Sequence, residues 1–331
     1  MTTEAPLLEA RSLSRTFDVG TGGLGLRRRT LRAVDDVSFA LAPGKVTALV
    51  GQSGSGKSTI ARLLARIYKS SAGEIYFEGR PVSTLRTRRQ RVAYAGDVAM
   101  VFQDPYSSIN PAYRVTHPIE RGIVLHRRDV PRRTRGHEVE KTLGTVGLVP
   151  AGRVAGKFPY ELSGGQRQRV GFAAALAAKP KLIVADEPVS MLDVSIRIGV
   201  LNLMSELRER EGLSFLYITH DVASARYVAD RVLVLYAGHL VEEGPTEDVI
   251  QRPKHPYTQL LLSAVPDPRA ALGVADAADV GEPPKVIDPK EGCRFRDRCP
   301  FAIAMCETVT PELREIGPRR RVACHVAEPD A

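Results

Sequence analysis

The stretch from Gly51 to Thr59, with the sequence GQSGSGKST, constrains the fold of this chain more than any other. It fits the pattern G-x-x-x-x-G-K-S, in which a glycine-rich loop turns its backbone N–H groups towards phosphate oxygens. An apolar, β-rich run at 46–50 precedes the loop, and a run suited to a helix at 60–68 follows it. A turn that merely joins a strand to a helix needs neither the lysine nor the hydroxyls. The sequence therefore predicts a phosphate-binding loop, which we call the P-loop.

Two side chains of the P-loop have predicted chemical roles. Lys57 can reach the β- and γ-phosphates of a nucleotide, and Ser58 can bind Mg²⁺. The N-terminus of the following helix adds a partial positive charge. The P-loop residues expected to contact ATP are Gly51, Ser53, Gly54, Ser55, Gly56, Lys57, Ser58 and Thr59.

The composition is that of a globular protein with an uneven basic charge. Of the 331 residues, 43% are hydrophobic, which is enough for a full core. No apolar run reaches the ~18–20 residues that span a bilayer, and the start lacks an export signal, so we expect a cytosolic or inner-face protein. The net charge is +9, and residues 80–141 hold thirteen Lys or Arg against six Asp or Glu. This surplus suits nucleic acid, anionic lipid or an acidic partner, or simply a solvated surface.

Strand-like and helix-like runs alternate along most of the chain, which predicts a mostly parallel α/β sheet. The run from 115 to 178 is mainly helical in pattern, and 265–289 is rich in Pro, Ala and Asp and is typical of a linker. The predicted strands are 7–17, 34–41, 46–50, 74–77, 98–102, 182–185, 215–218 and 232–236, and the other predicted helices are 194–210 and 222–229.

Five further motifs follow the P-loop along the chain. They are Gln103 after a strand, the helix start Leu162-Ser163-Gly164-Gly165-Gln166, the strand end Asp186-Glu187, the segment Ser190-Met191-Leu192-Asp193, and His220 after another strand. Together with the P-loop, these motifs resemble those of the ATP-binding cassette (ABC) family over about residues 6–264. The resemblance implies an ABC-type P-loop NTPase domain with an antiparallel β subdomain and a helical subdomain at about 104–178. Residues 265–331 would form a linker and a small Cys-rich extension.

The resemblance assigns catalytic roles at the nucleotide. Asp186 would bind Mg²⁺ together with Ser58 and Gln103, as hard oxygen ligands suit this ion. Glu187 would act as general base on the attacking water, and His220 would hold the γ-phosphate and that water in line. Gln103, the third catalytic residue, would contact that water and sense a neighbouring subunit.

Other family motifs imply a dimer. A second, homologous ATPase subunit would offer its signature helix start to the ATP on this P-loop, because free N–H groups at a helix start bind phosphate. Asp193 and Ser190 would lie at this interface, and Phe17 would stack on adenine. Met191 replaces the alanine that is usual in the family. The signature residues acting in trans are Ser163, Gly164, Gly165 and Gln166.

Several segments resemble the dipeptide and oligopeptide importer branch. They are 103–111, 193–197, 255–258 and the C-terminal 292–325. The branch implies two transmembrane permease subunits, an extracytoplasmic solute-binding protein, and a peripheral position on the cytoplasmic face of the cell membrane. Some relatives import oligosaccharides or nickel, and the sequence leaves open whether the two ATPases are identical. A soluble cassette ATPase acting on nucleic acid is the alternative class, but this chain has one P-loop and no heptad run or base-stacking aromatics.

All four cysteines lie in the extension, spaced C-x5-C-x6-C-x17-C: Cys293, Cys299, Cys306 and Cys324. Zinc sites usually have closer pairs, and disulfides are rare in cytosolic proteins. Similar extensions in this branch are associated with iron–sulfur clusters, so a [4Fe–4S] cluster is expected. Zinc or another metal, free thiols and a redox-sensitive pair remain open. A separate hypothesis is a redox sensor in which the cysteine segment gates the ATPase.

Overall fold

A computed structural model describes residues 5–19, 29–104, 109–264, 284 and 286–330. The predicted linker at 265–289 lies almost wholly outside the described residues. Part of the motif at 103–111 lies outside them as well. In the described part of the chain, no helix combines the length and the apolarity needed to cross a membrane.

An eight-stranded sheet forms the centre of the molecule. Its strand order is β11-β12-β10-β9-β3-β8-β7-β6. The strands are β3 (Val46–Val50), β6 (Val98–Val101), β7 (Leu182–Asp186), β8 (Ser214–Thr219), β9 (Arg231–Tyr236), β10 (His239–Pro245), β11 (Arg314–Gly317) and β12 (Arg320–Val322). Strands β9, β3, β8, β7 and β6 run parallel, which confirms the predicted sheet, and the remaining three are antiparallel.

The central strands are apolar because both faces of the sheet are covered. Every residue of β3 and of β7 is buried. Strands without a polar face are typical of parallel sheets with helices on both sides. Their carboxyl ends meet at one edge, where the P-loop follows β3 and Asp186 ends β7.

A second, four-stranded sheet packs nearby with the order β2-β1-β4-β5 and antiparallel pairing. This sheet is the antiparallel subdomain that the family resemblance implied. Its strands are β1 (Leu8–Asp18), β2 (Thr30–Leu41), β4 (Ala72–Phe77) and β5 (Arg80–Pro81).

Helices surround the sheets, and several of them lie in the region where the sequence predicted a helical subdomain. They are α1 (Lys57–Leu64), α2 (Arg88–Asp97), α3 (Thr116–His126), α4 (Arg135–Thr145), α5 (Ala151–Ala155), α6 (Gly164–Leu176), α7 (Val194–Glu211), α8 (Val222–Val228), α9 (Thr246–Gln251), α10 (Pro256–Ser263) and α11 (Met305–Thr308). Buried residues four apart, such as Ile119 and Ile123, give α3 one apolar face. The predicted helix at 60–68 is α1, which begins three residues earlier, directly after Gly56, and ends before Arg66 at φ 56°.

The C-terminal extension joins the central sheet. Strand β12 pairs with β10, and β11 pairs with β12. A buried ion pair fixes this join: Arg320 Nη2 lies 2.9 Å from Glu242 Oε1, and the two side chains are 1% and 0% exposed. The sequence did not predict β10, because its buried glutamates conceal the apolar character of a core strand.

Candidate active site

The P-loop follows β3 and is closely packed against the strands around it. Gly56 has φ 109°, and a Cβ atom there would lie 2.2 Å from the main-chain oxygen of Ala33. Only glycine fits such a position. Lys57 is 4% exposed, and its ammonium group donates hydrogen bonds of 2.7 Å to the main-chain oxygens of Gly51 and Gln52. Burial lowers the pKa of Lys57. The loop therefore holds a buried cation beside its backbone N–H groups.

Two oxygen ligands suited to Mg²⁺ lie side by side next to the P-loop. Ser58 Oγ donates a 3.0 Å hydrogen bond to Asp186 Oδ1, and Asp186 is buried at the end of β7. Burial raises the pKa of Asp186, partly offset by that hydrogen bond. A divalent cation would stabilise the ionised carboxylate here, so the pair fits the predicted magnesium ion.

Three predicted catalytic side chains meet around one carboxylate oxygen. Glu187 Oε2 accepts a 3.0 Å hydrogen bond from Gln103 Nε2 and lies 3.3 Å from His220 Nδ1. The bond with His220 is the main cause that lowers the pKa of Glu187, and it raises the pKa of His220. Ser190 joins the group, since its hydroxyl donates to the Glu187 main-chain oxygen at 3.0 Å. The structure therefore brings Gln103, Glu187 and His220 together, whereas their sequence positions are far apart.

The signature helix start is well ordered by its own side chains. Ser163 is the N-cap of α6: its hydroxyl accepts from the Gln166 N–H at 3.3 Å, and Gln166 Oε1 accepts from the Ser163 N–H at 3.1 Å. This reciprocal capping box fixes the first turn. A Cβ atom on Gly165 would lie 2.4 Å from Ile196, whereas one on Gly164 would lie 3.6 Å from Leu192. Gly165 thus allows α6 to pack closely against α7, whereas the contact at Gly164 is of ordinary length.

Phe17 and Asp193 occupy their expected elements. The Phe17 ring packs edge-on against Tyr68, with centroids 5.6 Å apart, and Arg15 lies 4.6 Å above the ring. Asp193 is exposed immediately before α7. The adenine contact of Phe17 and the interface role of Asp193 stay predictions.

One P-loop contact was not predicted. The hydroxyl of Tyr257, in α10, accepts a 3.0 Å hydrogen bond from the backbone N–H of Gln52. The motif His255-Pro256-Tyr257-Thr258 was noted in the sequence, but its pattern gives no sign of a contact with a loop about 200 residues earlier.

The cysteines form a loose group of free thiols. The Cys293 N–H donates to the Cys306 main-chain oxygen at 2.8 Å. Burial raises the pKa of Cys293 and of Cys299, and the neighbouring thiols act in the same direction. Over the described ranges, however, no three or more His, Cys, Asp or Glu side chains are arranged to hold a metal ion. The geometry therefore does not support the predicted iron–sulfur or zinc site.

Comparison with known proteins places these features in a family. A family profile described as "ABC transporter" matches residues 34–190, and one described as "Oligopeptide/dipeptide transporter, C-terminal region" matches residues 241–306. The oligopeptide transport ATP-binding protein AppF of Bacillus subtilis is 42% identical over 322 residues, which cover 97% of each chain.

Solved structures agree with this assignment. CbiO1 of Clostridium perfringens, part of the ABC transporter complex cbiONQ, matches with a TM-score of 0.64 and 26% identity, over 75% of this chain and 92% of that one. The ATP-binding cassette MJ0796, a dimer bound to ADP and Pi, matches with a TM-score of 0.63 and 26% identity. The match covers 72% of this chain and 98% of that one. The chain therefore belongs to the ABC transporter family, as an ATP-hydrolysing cassette subunit of the oligopeptide/dipeptide branch.

Proposed function

We propose that this chain is the energy-coupling ATPase of a membrane importer for di- or oligopeptides. The observation that carries the proposal is the placement of Glu187 between His220 and Gln103, next to a complete P-loop. The relatives' names add the peptide substrate, because AppF is an oligopeptide transport protein. Oligosaccharides and nickel are the competing solutes.

We assign catalysis to positioning and electrostatics at the γ-phosphate, as is usual for phosphoryl transfer. Glu187, which carries its negative charge at neutral pH, takes a proton from the attacking water. His220 and Gln103 fix the orientation of this carboxylate through their hydrogen bonds. Lys57 binds the phosphates, and Mg²⁺ held by Ser58 and Asp186, with Gln103 as a further ligand, would neutralise phosphate charge.

We further propose that two cassettes dimerise head-to-tail, with the signature of one completing the P-loop of the other. Support comes from exposed apolar residues beside Asp193: Met191 is 61%, Val194 70% and Ile198 48% exposed. Apolar surface of this kind next to the Ser190–Asp193 motif fits a protein interface.

A groove next to Gln103 suits the permease. Its volume is about 320 Å³, and its lining includes Ile67 and Phe102, which are 53% and 41% exposed, together with Ile109 and Gly122. Phe102 directly precedes Gln103, so a permease helix seated in the groove would act on a residue that bonds Glu187. We therefore propose a peripheral protein on the cytoplasmic face of the membrane, working with two permeases and an external solute-binding protein.

The cysteine segment needs its own experiment. The proposed [4Fe–4S] cluster, with zinc as the alternative, rests on the four thiols of one small segment and on the family resemblance. Anaerobically purified protein should contain about four iron and four sulfide per chain if a cluster forms. Protein with no iron but one zinc per chain would replace the cluster by zinc, and protein with neither would leave free thiols.

The function is tested by reconstituting the ATPase with permeases and a peptide-binding protein in vesicles. Uptake of a labelled peptide should require ATP and stop with Glu187→Gln. A system that hydrolyses ATP but takes up only an oligosaccharide or nickel would overturn the peptide assignment. Salt-sensitive RNA or DNA binding at physiological ionic strength would favour the nucleic-acid alternative.

A further inference from the structure

The C-terminal cysteine segment, residues 286–330, touches the framework of the P-loop at two separate points. The first contact runs through the aromatic ring of Phe295, and the second through the guanidinium of Arg294. These two neighbouring residues directly follow Cys293. Both contacts join parts of this chain and do not involve a bound nucleotide.

The first route is an aromatic cluster. Phe295 is 2% exposed, and its ring centroid lies 5.6 Å from that of Tyr257 and 5.3 Å from that of Tyr236. Tyr257 is fully buried, and its hydroxyl accepts the 3.0 Å hydrogen bond from the Gln52 N–H. The ring of Phe295 therefore supports the side chain that holds the second residue of the P-loop.

The second route follows the turn between β9 and β10. Arg294 donates a hydrogen bond to the main-chain oxygen of Ala237 and forms an ion pair with Asp35. The next residue, Gly238, donates its N–H to the main-chain oxygen of Ser55 at 2.8 Å. The segment thus also supports the middle of the P-loop.

The start of α10 is itself tied to the extension. The carboxylate of Glu242 accepts from the N–H groups of Lys254 and His255, each at 2.9 Å, while it pairs with Arg320 of β12. His255 is fully buried, which lowers its pKa to about 3, so the ring is neutral and its Nδ1 accepts from the Tyr257 N–H. Backbone and side chain of Tyr257 are both fixed.

From these contacts we infer that Tyr257 is a positioning residue of the nucleotide site, and that Phe295 of the cysteine segment holds it in place. Tyr257 bonds an N–H at the entry of the P-loop and so restricts the loop backbone before the phosphate arrives. A preorganised loop loses less conformational freedom on binding, which strengthens nucleotide affinity. The inference rests on the proposed phosphate-binding role of the P-loop.

The test is nucleotide affinity in conservative variants of the full chain. Tyr257→Phe keeps the ring and removes only the hydroxyl. We expect the Kd for ADP, measured by calorimetry, to rise about three- to tenfold, as for loss of one hydrogen bond. The KM for ATP should rise by the same factor, and kcat should stay within about twofold because Glu187 and His220 are untouched.

Tyr236→Phe is the matched control. Its ring lies 4.5 Å from that of Tyr257, and its hydroxyl accepts a hydrogen bond from Arg298. Tyr236→Phe should bind ADP like the wild type. Its melting temperature should fall by about as much as that of Tyr257→Phe. Equal ADP affinities in Tyr257→Phe and Tyr236→Phe would overturn the inference.

Two further variants complete the design. Phe295→Leu should weaken ADP binding in the wild type but have less effect when Tyr257→Phe is already present, because both act through one contact. Full additivity would remove Phe295 from the inference. Lys57→Ala separates failure of the proposed nucleotide site from failure of the positioning role. If Lys57→Ala binds ADP normally, the proposed nucleotide site is wrong. If Lys57→Ala loses binding while Tyr257→Phe binds ADP normally, only the positioning role of Tyr257 is refuted.

Discussion

Glu187 Oε2 and His220 Nδ1 lie 3.3 Å apart, at the ends of two neighbouring parallel strands. The two side chains differ in solvent exposure: that of Glu187 is 14% exposed and that of His220 is 56% exposed. Glu187 also has φ 46°, an unusual backbone conformation for a glutamate. A residue held in such a conformation by its neighbours is a frequent feature of functional sites.

The first prediction concerns the proposed general base. Glu187→Gln should bind ATP with near wild-type affinity but lower kcat by about 10²- to 10⁴-fold, the usual range for loss of general-base catalysis. Phosphate release at saturating ATP measures this change. Glu206→Gln, on the exposed face of α7, is the matched control and should hydrolyse ATP normally. Wild-type turnover in Glu187→Gln would refute the base assignment.

The second prediction concerns the pH at which His220 titrates. Glu187 raises the pKa of His220 above its ordinary 6.5, and His220 lowers that of Glu187 below 4.5. The stabilisation from the pair is therefore complete between about pH 4.5 and 6.5. This stabilisation is lost as the pH rises through the raised pKa of His220 or falls through the lowered pKa of Glu187.

An NMR titration of the His220 ring checks this direction. The measured pKa should exceed 6.5 in the wild type and fall in Glu187→Gln, because the charged partner is gone. An unchanged His220 pKa in that variant would show that another group causes the shift. His220 is more than half exposed, so the effect on overall stability should be small.

The third prediction uses ligand stabilisation. A ligand that binds only the folded protein raises stability by about 2.7 kcal/mol at a hundredfold excess over Kd. Mg-ATP should therefore raise the melting temperature of the wild type but not that of Lys57→Ala. Because Lys57→Ala also removes two hydrogen bonds within the P-loop, each shift is measured from the variant's own melting temperature without nucleotide. A normal Mg-ATP shift in Lys57→Ala would contradict the role of this lysine.

The sequence predicts, for a physical reason, that the candidate catalytic side chains lie close together. Gly51, Asp186 and His220 each lie at the carboxyl end of an apolar strand, and the carboxyl ends of parallel strands meet at one edge of the sheet. Once the sheet is parallel, these short local motifs must lie close together. Ser58, just after β3, and Asp186, at the end of β7, meet at this edge through a 3.0 Å hydrogen bond.

Contacts without a local pattern could not be predicted in this way. The bond from Gln52 to Tyr257 depends on how α10 packs, and the mutual placement of four cysteines depends on the fold of the extension. Strand β10 escaped prediction because Glu242 and Glu243 are buried, at 0% and 5% exposure. Their partners are arginines elsewhere in the chain, so only the folded structure explains their burial.

The last prediction tests the buried pair of Arg320 and Glu242. Arg320→Met removes the cation and leaves Glu242 charged and buried, so the free energy of unfolding should fall by about 3–5 kcal/mol. Urea unfolding measures this loss. Glu242→Gln in the same chain removes the unpaired charge but keeps a side-chain oxygen for the N–H groups of Lys254 and His255. The double variant should therefore be more stable than Arg320→Met alone.

Arg252→Met is the surface control, since its pair with Asp248 is exposed and contributes at most about 1 kcal/mol. If Arg320→Met cost no more than Arg252→Met, the join between the extension and the central sheet would not depend on this ion pair.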